Sequence, residues 1–382
     1  MVYSHIGVTS RRLILHTESS VGLGGQELRI LSESRWLREH GWDALLACPP
    51  ASGLAAEARA AEVPLATLPM RSALDVRALL ALRALMRARA VALVHTHSSI
   101  DSWLGTLAAK SLGLPVVRGR HVTIPIRRHR ALVYRLADRV IASGEVARAR
   151  VLAAGVPAGR VVAVAAGYDP ARFHAGVSGL RVRAELGLTG PVVGLVANVR
   201  GSKGHRYFLE AARDVLRARP ETRFLIVGDG VGFDDVRRRV QALGLTPHVI
   251  MTGFRRDVPE VMAALDVLVL PSIKSEAVSQ VIPQALAVGT PVVGTTVGGT
   301  PEVVRDGATG RLVPPADAPA LASAILDVLA DPARARAMAR AGQAWARTHC
   351  TIDATMARTT AVYGELLSAG ASTAPSDTSP RT

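Results

Sequence analysis

Lysine, cysteine and aromatic residues are scarce in this chain of 382 residues. Only three of its 46 basic residues are lysines, so the formal net charge of +15 comes almost entirely from arginine. These arginines are spread through alanine-rich and leucine-rich helical patterns, and only 4% of the residues are aromatic. Such a distribution is not typical of a nucleic-acid-binding surface. We therefore expect no nucleic-acid partner.

The small number of cysteines and the lack of long apolar runs indicate where in the cell the protein works. The only cysteines, Cys48 and Cys350, are too few for a disulfide framework and lack metal-ligand spacing, as is typical of a reducing compartment. No apolar run reaches 18 residues, and the first one is too short for a signal peptide. We expect a cytoplasmic protein without a spanning helix, and attachment to the membrane surface stays open.

Apolar residues, by contrast, make up 49% of the chain, whose length exceeds what one hydrophobic core usually organises. Short, nearly continuous apolar runs alternate with helical patterns, which is typical of parallel strands buried on both faces. The pattern predicts six strands in the first half and five in the second, and it lapses at about residues 170–190. We predict two facing doubly wound α/β domains, 1–175 and 190–350, then a helix at 351–367 and a disordered tail at 368–382.

A glycine-rich turn follows the first predicted strand and opens a helix. Gly24 and Gly25 let the backbone approach a ligand closely, and the free N–H groups of the helix start suit an anion or a hydroxyl. The spacing is not G-x-G-x-x-G, and no acidic residue ends the second strand, so a nicotinamide enzyme is not indicated. A tight turn without a ligand is the alternative.

Histidines lie at two predicted strand ends. His95 and His97 point the same way from their strand, Ser98 follows them, and His121 ends the next strand. We expect at least one of these imidazoles to act in the cleft, although a structural hydrogen bond is the alternative for each. No third and fourth ligand is evident at a spacing that would indicate zinc.

In the second half, a strand-to-helix loop carries Arg200 and Lys203. Two cations beside a helix start suit a diphosphate, with a solvated basic loop as the alternative. Farther along, a polar loop carries Glu276, and a helix is predicted through Gln284 to Gly289. Glu276 and Gln284 would be about 12 Å apart if that stretch were helical, which matches the reach from a sugar ring to a ribose across a diphosphate.

In this order the motifs resemble the retaining glycosyltransferases of family 4, which have the GT-B architecture of two facing Rossmann-like domains. The resemblance covers about residues 10–367. The spacing of Arg200 and Lys203 resembles a subgroup associated with surface polysaccharide and lipopolysaccharide assembly. It rests on the glycine-rich first loop, the HTHSSIDSW strand end, the RGSKGH loop, the segment from Glu276 to Gln284, and GGTPEVVRDGATGRLVPP.

The resemblance implies a role for each matching residue. Glu276 would bind donor-sugar hydroxyls near the reacting carbon, and Gln284 would hydrogen-bond the donor ribose in place of the family's second glutamate. Lys203 would neutralise the diphosphate, with Arg200 replacing an arginine that the family has at the position of Asn198. The other expected site residues are Ser279, Val278, Gly25 and Gly24 for the donor, and His121, His97 and Ser98 near the acceptor.

These roles predict transfer of a sugar, with retention, from a nucleotide diphosphate sugar to a hydroxyl of a glycan or lipid-linked acceptor of the cell envelope. No metal or other cofactor is expected, because the chain has no D-x-D triplet and its adjacent Asp234 and Asp235 lie at a predicted helix start. A sugar-nucleotide epimerase and a catalytically silent nucleotide-sugar-binding protein are the alternatives. The basic segment 127–130 suits an anionic membrane surface, or is a solvated helix start.

Overall fold

The computed structural model describes residues 12–371, which fold around two all-parallel sheets. In the first sheet seven strands lie in the order β3-β2-β1-β4-β5-β6-β7, and in the second six lie in the order β10-β9-β8-β11-β12-β13. Helices cover both faces of each sheet, so the strands are nearly continuous buried apolar runs. The predicted doubly wound α/β class is confirmed.

The first domain contains the first sheet. Its strands are β1 (Leu13–Thr17), β2 (Asp43–Cys48), β3 (Leu65–Thr67), β4 (Leu93–Thr96), β5 (Val116–Arg120), β6 (Arg139–Ala142) and β7 (Val161–Ala163). Its helices are α1 (Gly25–Glu39), α2 (Gly53–Ala60), α3 (Val76–Ala88), α4 (Ser99–Lys110), α5 (Arg128–Leu136) and α6 (Glu145–Ala153).

The second domain contains the second sheet. Its strands are β8 (Val192–Val196), β9 (Arg223–Val227), β10 (Val249–Gly253), β11 (Val267–Leu270), β12 (Val292–Thr295) and β13 (Arg311–Val313). The remaining helices are α7 (Leu180–Glu185), α8 (His205–Ala218), α9 (Phe233–Ala242), α10 (Val258–Ala264), α11 (Val281–Val288), α12 (Thr300–Val303), α13 (Ala318–Ala330), α14 (Pro332–His349) and α15 (Ile352–Ala371).

The structure differs from the sequence analysis at the sheet edges and at the domain boundary. The edge strands β3 and β13 were missed because their short sequences, LAT and RLV, contain polar residues and are mostly not buried, so neither forms a recognisable apolar run. Phe173, Val182 and Leu188 lie in the core of the second domain, although residues up to 175 were predicted for the first and 190 as the start of the second. The linker carries apolar side chains that the second domain buries.

The chain crosses between the domains twice, at adjacent positions. Tyr168 N donates to Cys350 O at 2.8 Å, and Ile352 N donates to Tyr168 O at 2.7 Å. A Cβ on Gly167 would lie 2.6 Å from the Cα of Ile352, so only glycine allows the two crossings to lie this close.

After the second crossing, α15 packs on the first domain. Met356, Val362 and Tyr363 are buried there in one cluster with Ile14 of β1 and Leu37 of α1. The helix continues through residues 368–371, which were predicted to belong to the disordered tail, because alanine favours further helical turns. The rest of the predicted tail, 372–382, lies outside the described residues.

We expect Met356→Ala to destabilise the protein by about 2–5 kcal/mol, because it empties a fully buried site between α15 and the first sheet. Ser368→Ala, at an exposed position of the same helix, should change stability by less than about 0.5 kcal/mol. Urea unfolding followed by tryptophan fluorescence measures both, since Trp36 and Trp42 pack against this cluster. Equal stabilities of the two variants would contradict the packing of α15 described here.

Candidate active site

An ion pair lies at the carboxyl edge of the second sheet, where the loops after β8 and β11 meet. Lys203 Nζ donates to Glu276 Oε2 at 2.6 Å, and Ser272 Oγ donates to the same oxygen at 2.6 Å. The side chains of Lys203 and Glu276 are only 12% and 7% exposed. The structure thus brings together two predicted site residues from loops more than 70 positions apart.

Two glycines allow these loops to approach so closely. Gly204 has φ +73°, and a Cβ there would lie 1.8 Å from Pro271 O at the end of β11. Gly298 has φ +58°, and a Cβ there would lie 1.7 Å from Glu276 O. Any side chain at either position would push the Glu276 loop away from its neighbours.

The other predicted donor residues lie on the same two loops and on the helix that follows the second. Arg200 is exposed before a single 3₁₀ turn, Gly201–Lys203, that leads to Lys203. Gln284 is half-buried on α11, which begins only at Val281, so the approach from Glu276 is a loop and not a helix. The predicted helix end at Gly289 is confirmed, with φ +96°. Ser279 is half-buried in that loop.

The carboxyl edge of the first sheet faces this site. Val278 is buried, and its N–H points to Ser143 O, at 3.4 Å, in the loop after β6. The side chain of Gln280 donates to Gly25 O at 3.1 Å. A Cβ on Gly24 would lie 3.3 Å from Asn198 Nδ2, so the predicted glycine-rich turn does face the second domain.

Glu302 makes a further contact between the domains that sequence analysis missed. Its carboxylate accepts hydrogen bonds from the backbone N–H groups of Glu145, at 2.9 Å, and Val146, at 3.1 Å. These groups begin α6, where a negative charge is favourable. The available signal was the GGTPEVV motif, which contains Glu302 and carries part of the family resemblance.

A row of imidazoles lies behind the cleft in the first domain. His16 Nδ1 is 3.0 Å from His97 Nε2, and His97 Nδ1 is 3.0 Å from His121 Nε2. His95 Nδ1 is 2.7 Å from the hydroxyl oxygen of Tyr363 on α15. His16, His95 and His97 are buried, whereas His121, which follows β5, is half-buried. Sequence analysis missed His16, because only the β1–β4 pairing, which aligns it with His95, brings it here.

These imidazoles are electrically neutral at ordinary pH. Burial, with the nearby Arg29 cation, lowers the pKa of His16 to about 3. Burial, then neighbouring charges, holds the pKa values of His95, His97 and His121 well below the usual range. One ring nitrogen each from His16, His95 and His97 lies within 4.8 Å of the others, so these three donor atoms could hold a metal ion.

Glu18, also missed, ends β1 beside the predicted acceptor loop. It accepts hydrogen bonds from Ser20 N, at 2.7 Å, and from the side chain of Gln26, which also donates to the predicted residue Ser98 at 2.9 Å. Burial, and then the charge of Asp101, raises the pKa of Glu18 to about 7. The carboxyl group is therefore poised to gain or lose a proton near neutral pH.

Both halves of the chain match known families. Residues 23–172 match "Glycosyltransferase Family 4" and residues 190–331 match "Glycosyl transferases group 1". A GDP-mannose-dependent alpha-(1-6)-phosphatidylinositol monomannoside mannosyltransferase from Mycolicibacterium smegmatis is 30% identical over 285 residues, covering 68% of this chain and 75% of that protein. The chain belongs to the group 1 and family 4 glycosyltransferases.

Two further relatives match different shares of the chain, one by sequence and one by structure. The 2-deoxystreptamine glucosyltransferase of Streptomyces kanamyceticus is 36% identical over 183 residues, and the match spans 46% of this chain and about half, 47%, of that relative. The structure of Alr3699/HepE from Anabaena, in complex with UDP and glucose, superposes with a TM-score of 0.83 at 23% identity. It covers 93% of this chain and 100% of that one, which confirms the predicted GT-B fold.

Glu18 predicts a pH-dependent stability. The folded protein holds this proton up to a pH of about 7, whereas unfolded glutamate releases it near its usual pKa of 4.5, so stability falls as pH rises between these values. We expect Glu18→Gln to leave stability nearly unchanged at pH 5 and to raise it at pH 8, by on the order of 3 kcal/mol at most.

The measurement is the free energy of unfolding of both proteins across this pH range. The histidines are common to both, so the difference reports Glu18 together with the adjacent Asp101, whose charge acts on it. Glu39→Gln, at an exposed position near the end of α1, is the matched control and should show no such pH-dependent gain. A variant less stable than the wild type at pH 8 would contradict the predicted protonation of Glu18.

Proposed function

We propose that this glycosyltransferase moves a sugar from a nucleotide diphosphate sugar to a hydroxyl of a glycan or lipid-linked acceptor, with retention at the anomeric carbon. The observation that carries the proposal is the buried Lys203–Glu276 pair, which lies at the edge of the second sheet that faces the first domain. A cation and a carboxylate at the mouth of such a sheet suit the diphosphate and the sugar hydroxyls of one donor.

Donor binding replaces the ion pair with two substrate contacts. The diphosphate takes the ammonium of Lys203, with Arg200 and the N–H groups at the start of α11 beside it, and Glu276 is left to accept hydrogen bonds from sugar hydroxyls. As the glycosidic bond breaks, negative charge grows on the leaving diphosphate and positive charge on the anomeric carbon. Lys203 and Arg200 stabilise the negative charge on the diphosphate. Such electrostatic stabilisation is typically the largest catalytic contribution of a preorganised site.

The acceptor approaches from the first domain on the face of the sugar that the diphosphate leaves, and the leaving phosphate takes the proton of the attacking hydroxyl. Attack on that face retains the anomeric configuration. His121 and Ser98 line the approach, whereas the predicted acceptor residue His97 is buried behind His121 with both ring nitrogens hydrogen-bonded, and the step needs no metal ion. One relative supports the lipid-linked acceptor, since it is named for phosphatidylinositol monomannoside, and another is named for the small molecule 2-deoxystreptamine. From the spacing of Arg200 and Lys203 we propose a role in cell-envelope polysaccharide or lipopolysaccharide synthesis.

We also propose that the protein works in the cytoplasm and docks on an anionic membrane. The support for the compartment is that Cys48 and Cys350 are free, buried thiols. No helix of residues 12–371 is both long and apolar enough to span a bilayer. Arg127, Arg128 and Arg130 are exposed at the start of α5, near the exposed side chain of Ile124. Cations at a helix N-terminus are unfavourable unless an anion lies nearby, as lipid headgroups would.

We expect Lys203→Ala to lower kcat/KM about a hundredfold or more, because one charge that stabilises the leaving group is lost. Lys274→Ala is the matched control: this lysine is exposed in the loop that carries Glu276, and its loss should have little effect. The measurement is sugar transfer with a donor chosen from a panel of nucleotide sugars by thermal stabilisation.

Removing one partner of a buried ion pair also destabilises the fold, by about 3–5 kcal/mol. The double variant Lys203→Met with Glu276→Gln removes both charges and should recover most of the stability but none of the activity. Activity in this double variant equal to that of the wild type would contradict the proposed site.

The alternatives give different products. A transferase releases free nucleotide diphosphate only when an acceptor is supplied, an epimerase converts the donor without one, and a silent binding protein does neither. NMR of the product's anomeric proton tests retention, and an inverted product would exclude the attack proposed above.

The membrane proposal predicts co-sedimentation with anionic vesicles, at about 1 kcal/mol for each basic residue near the surface. Replacing Arg127, Arg128 and Arg130 by glutamate should abolish it. The control replaces three exposed arginines of α14, Arg334, Arg336 and Arg340, and should bind like the wild type. Equal binding to phosphatidylcholine and phosphatidylglycerol vesicles would count against docking.

A further inference from the structure

The imidazole row behind the cleft connects a fully buried ring to one that reaches the cleft. His16 and His97 share one hydrogen bond, and His97 and His121 share the next, each with 3.0 Å between nitrogens. His121 ends β5, and Ser143, after the neighbouring strand β6, lies against the second domain. The Nδ1 atom of His121 has no hydrogen-bond partner among residues 12–371, and it is accessible to solvent.

A neutral row of this kind has only two proton arrangements. Each ring carries one N–H, so all donors must point the same way along the row. In the outward arrangement His16 Nδ1–H donates to His97, His97 Nδ1–H donates to His121, and His121 presents an N–H at Nδ1. In the inward arrangement the donors are reversed, and His121 presents a lone pair.

The buried end of the row decides between them. His16 Nε2 is enclosed and unpartnered, so it holds either a bare lone pair or an unsatisfied N–H. Orphaned N–H groups are the rarer of the two in protein interiors. The enclosed Nε2 of His16 therefore favours the outward arrangement.

We propose that His16 is a positioning residue that fixes this direction, so that His121 offers its Nδ1–H to an oxygen of the bound substrate. The inference rests on the proposed function only for the identity of that oxygen, a sugar hydroxyl or a phosphate. The same histidines could gather a metal ion, but the positive charges of Arg29 and Arg118 that repel a proton from these rings repel a dication more strongly.

Imidazole ¹⁵N NMR of the substrate-free full chain tests the arrangement directly. We expect His121 of the wild type to be the Nδ1–H tautomer. His16→Asn should keep this tautomer of His121, because the asparagine amide N–H can replace the Nδ1 donor of His16. His16→Leu should give a mixture of the two His121 tautomers. His95→Asn is the matched control, equally buried on the adjacent strand but hydrogen-bonded to Tyr363, and should leave His121 unchanged.

The kinetic readout separates positioning from packing. His16→Leu should lower kcat/KM about tenfold, the loss of one hydrogen bond, and His16→Asn should restore most of it. The affinity for nucleoside diphosphate stays unchanged if the oxygen is a sugar hydroxyl, and falls in His16→Leu if it is a phosphate. A wild-type Nε2–H tautomer of His121 overturns the inference, as do an unchanged tautomer in His16→Leu, equal losses in both variants, or one equivalent of bound zinc after reconstitution with zinc alone.

If His16→Leu fails to fold, the wild-type tautomer and His16→Asn still decide the matter. The NMR experiment needs no substrate, so its outcome does not depend on sugar transfer. The expected tautomers in a protein that transfers no sugar would contradict the proposed function and leave the role of His16 in place.

Discussion

Parallel strand order places every strand-to-helix loop of a domain at one edge of its sheet, and the site depends on two such edges facing each other. Neither edge is complete alone. The second domain supplies Lys203 and Glu276, and the first supplies the glycine-rich turn and the imidazole row. The contacts of Gln280 and Glu302 with backbone groups of the first domain hold the two edges in this relation.

The Lys203–Glu276 pair shows how the proposed site for a charged substrate can balance its own charges. Each side chain is largely buried, and a single unpaired charge in that position would be costly. The two groups neutralise each other, and Ser272 satisfies the shared carboxylate oxygen. A substrate with both an anionic part and a hydroxyl-rich part can replace both partners together, whereas a plain anion satisfies only the lysine.

Local patterns in the sequence were sufficient for much of this structure. The strand β2 has the predicted bounds, and α11 ends at the predicted glycine, because apolar runs and helix C-caps are encoded within a few residues. Long-range neighbours were not accessible in this way. His16 meets His97 only because β1 lies beside β4, and α15 covers the first domain only because the chain crosses back at Thr351.

The site residues that sequence analysis missed also depend on neighbours that are distant along the chain. Glu302 and Gln280 act on backbone groups of the other domain, and backbone groups leave no trace in a pattern of side chains. Glu18 looked like an ordinary polar residue after a strand, and its unusual pKa arises from burial beside Asp101, which comes from a helix about 80 positions away.

Because α15 returns to the first domain, the second domain is inserted into the first and does not simply follow it along the chain. The core around Ile14 and Leu37 is completed by Met356 and Tyr363, so the first domain is assembled from both ends of the described chain. Hybrid enzymes made by joining the front half of one relative to the back half of another would therefore mismatch this core. A functional exchange of donor domains needs two junctions, one near Tyr168 and one near Thr351, where the crossings already lie side by side.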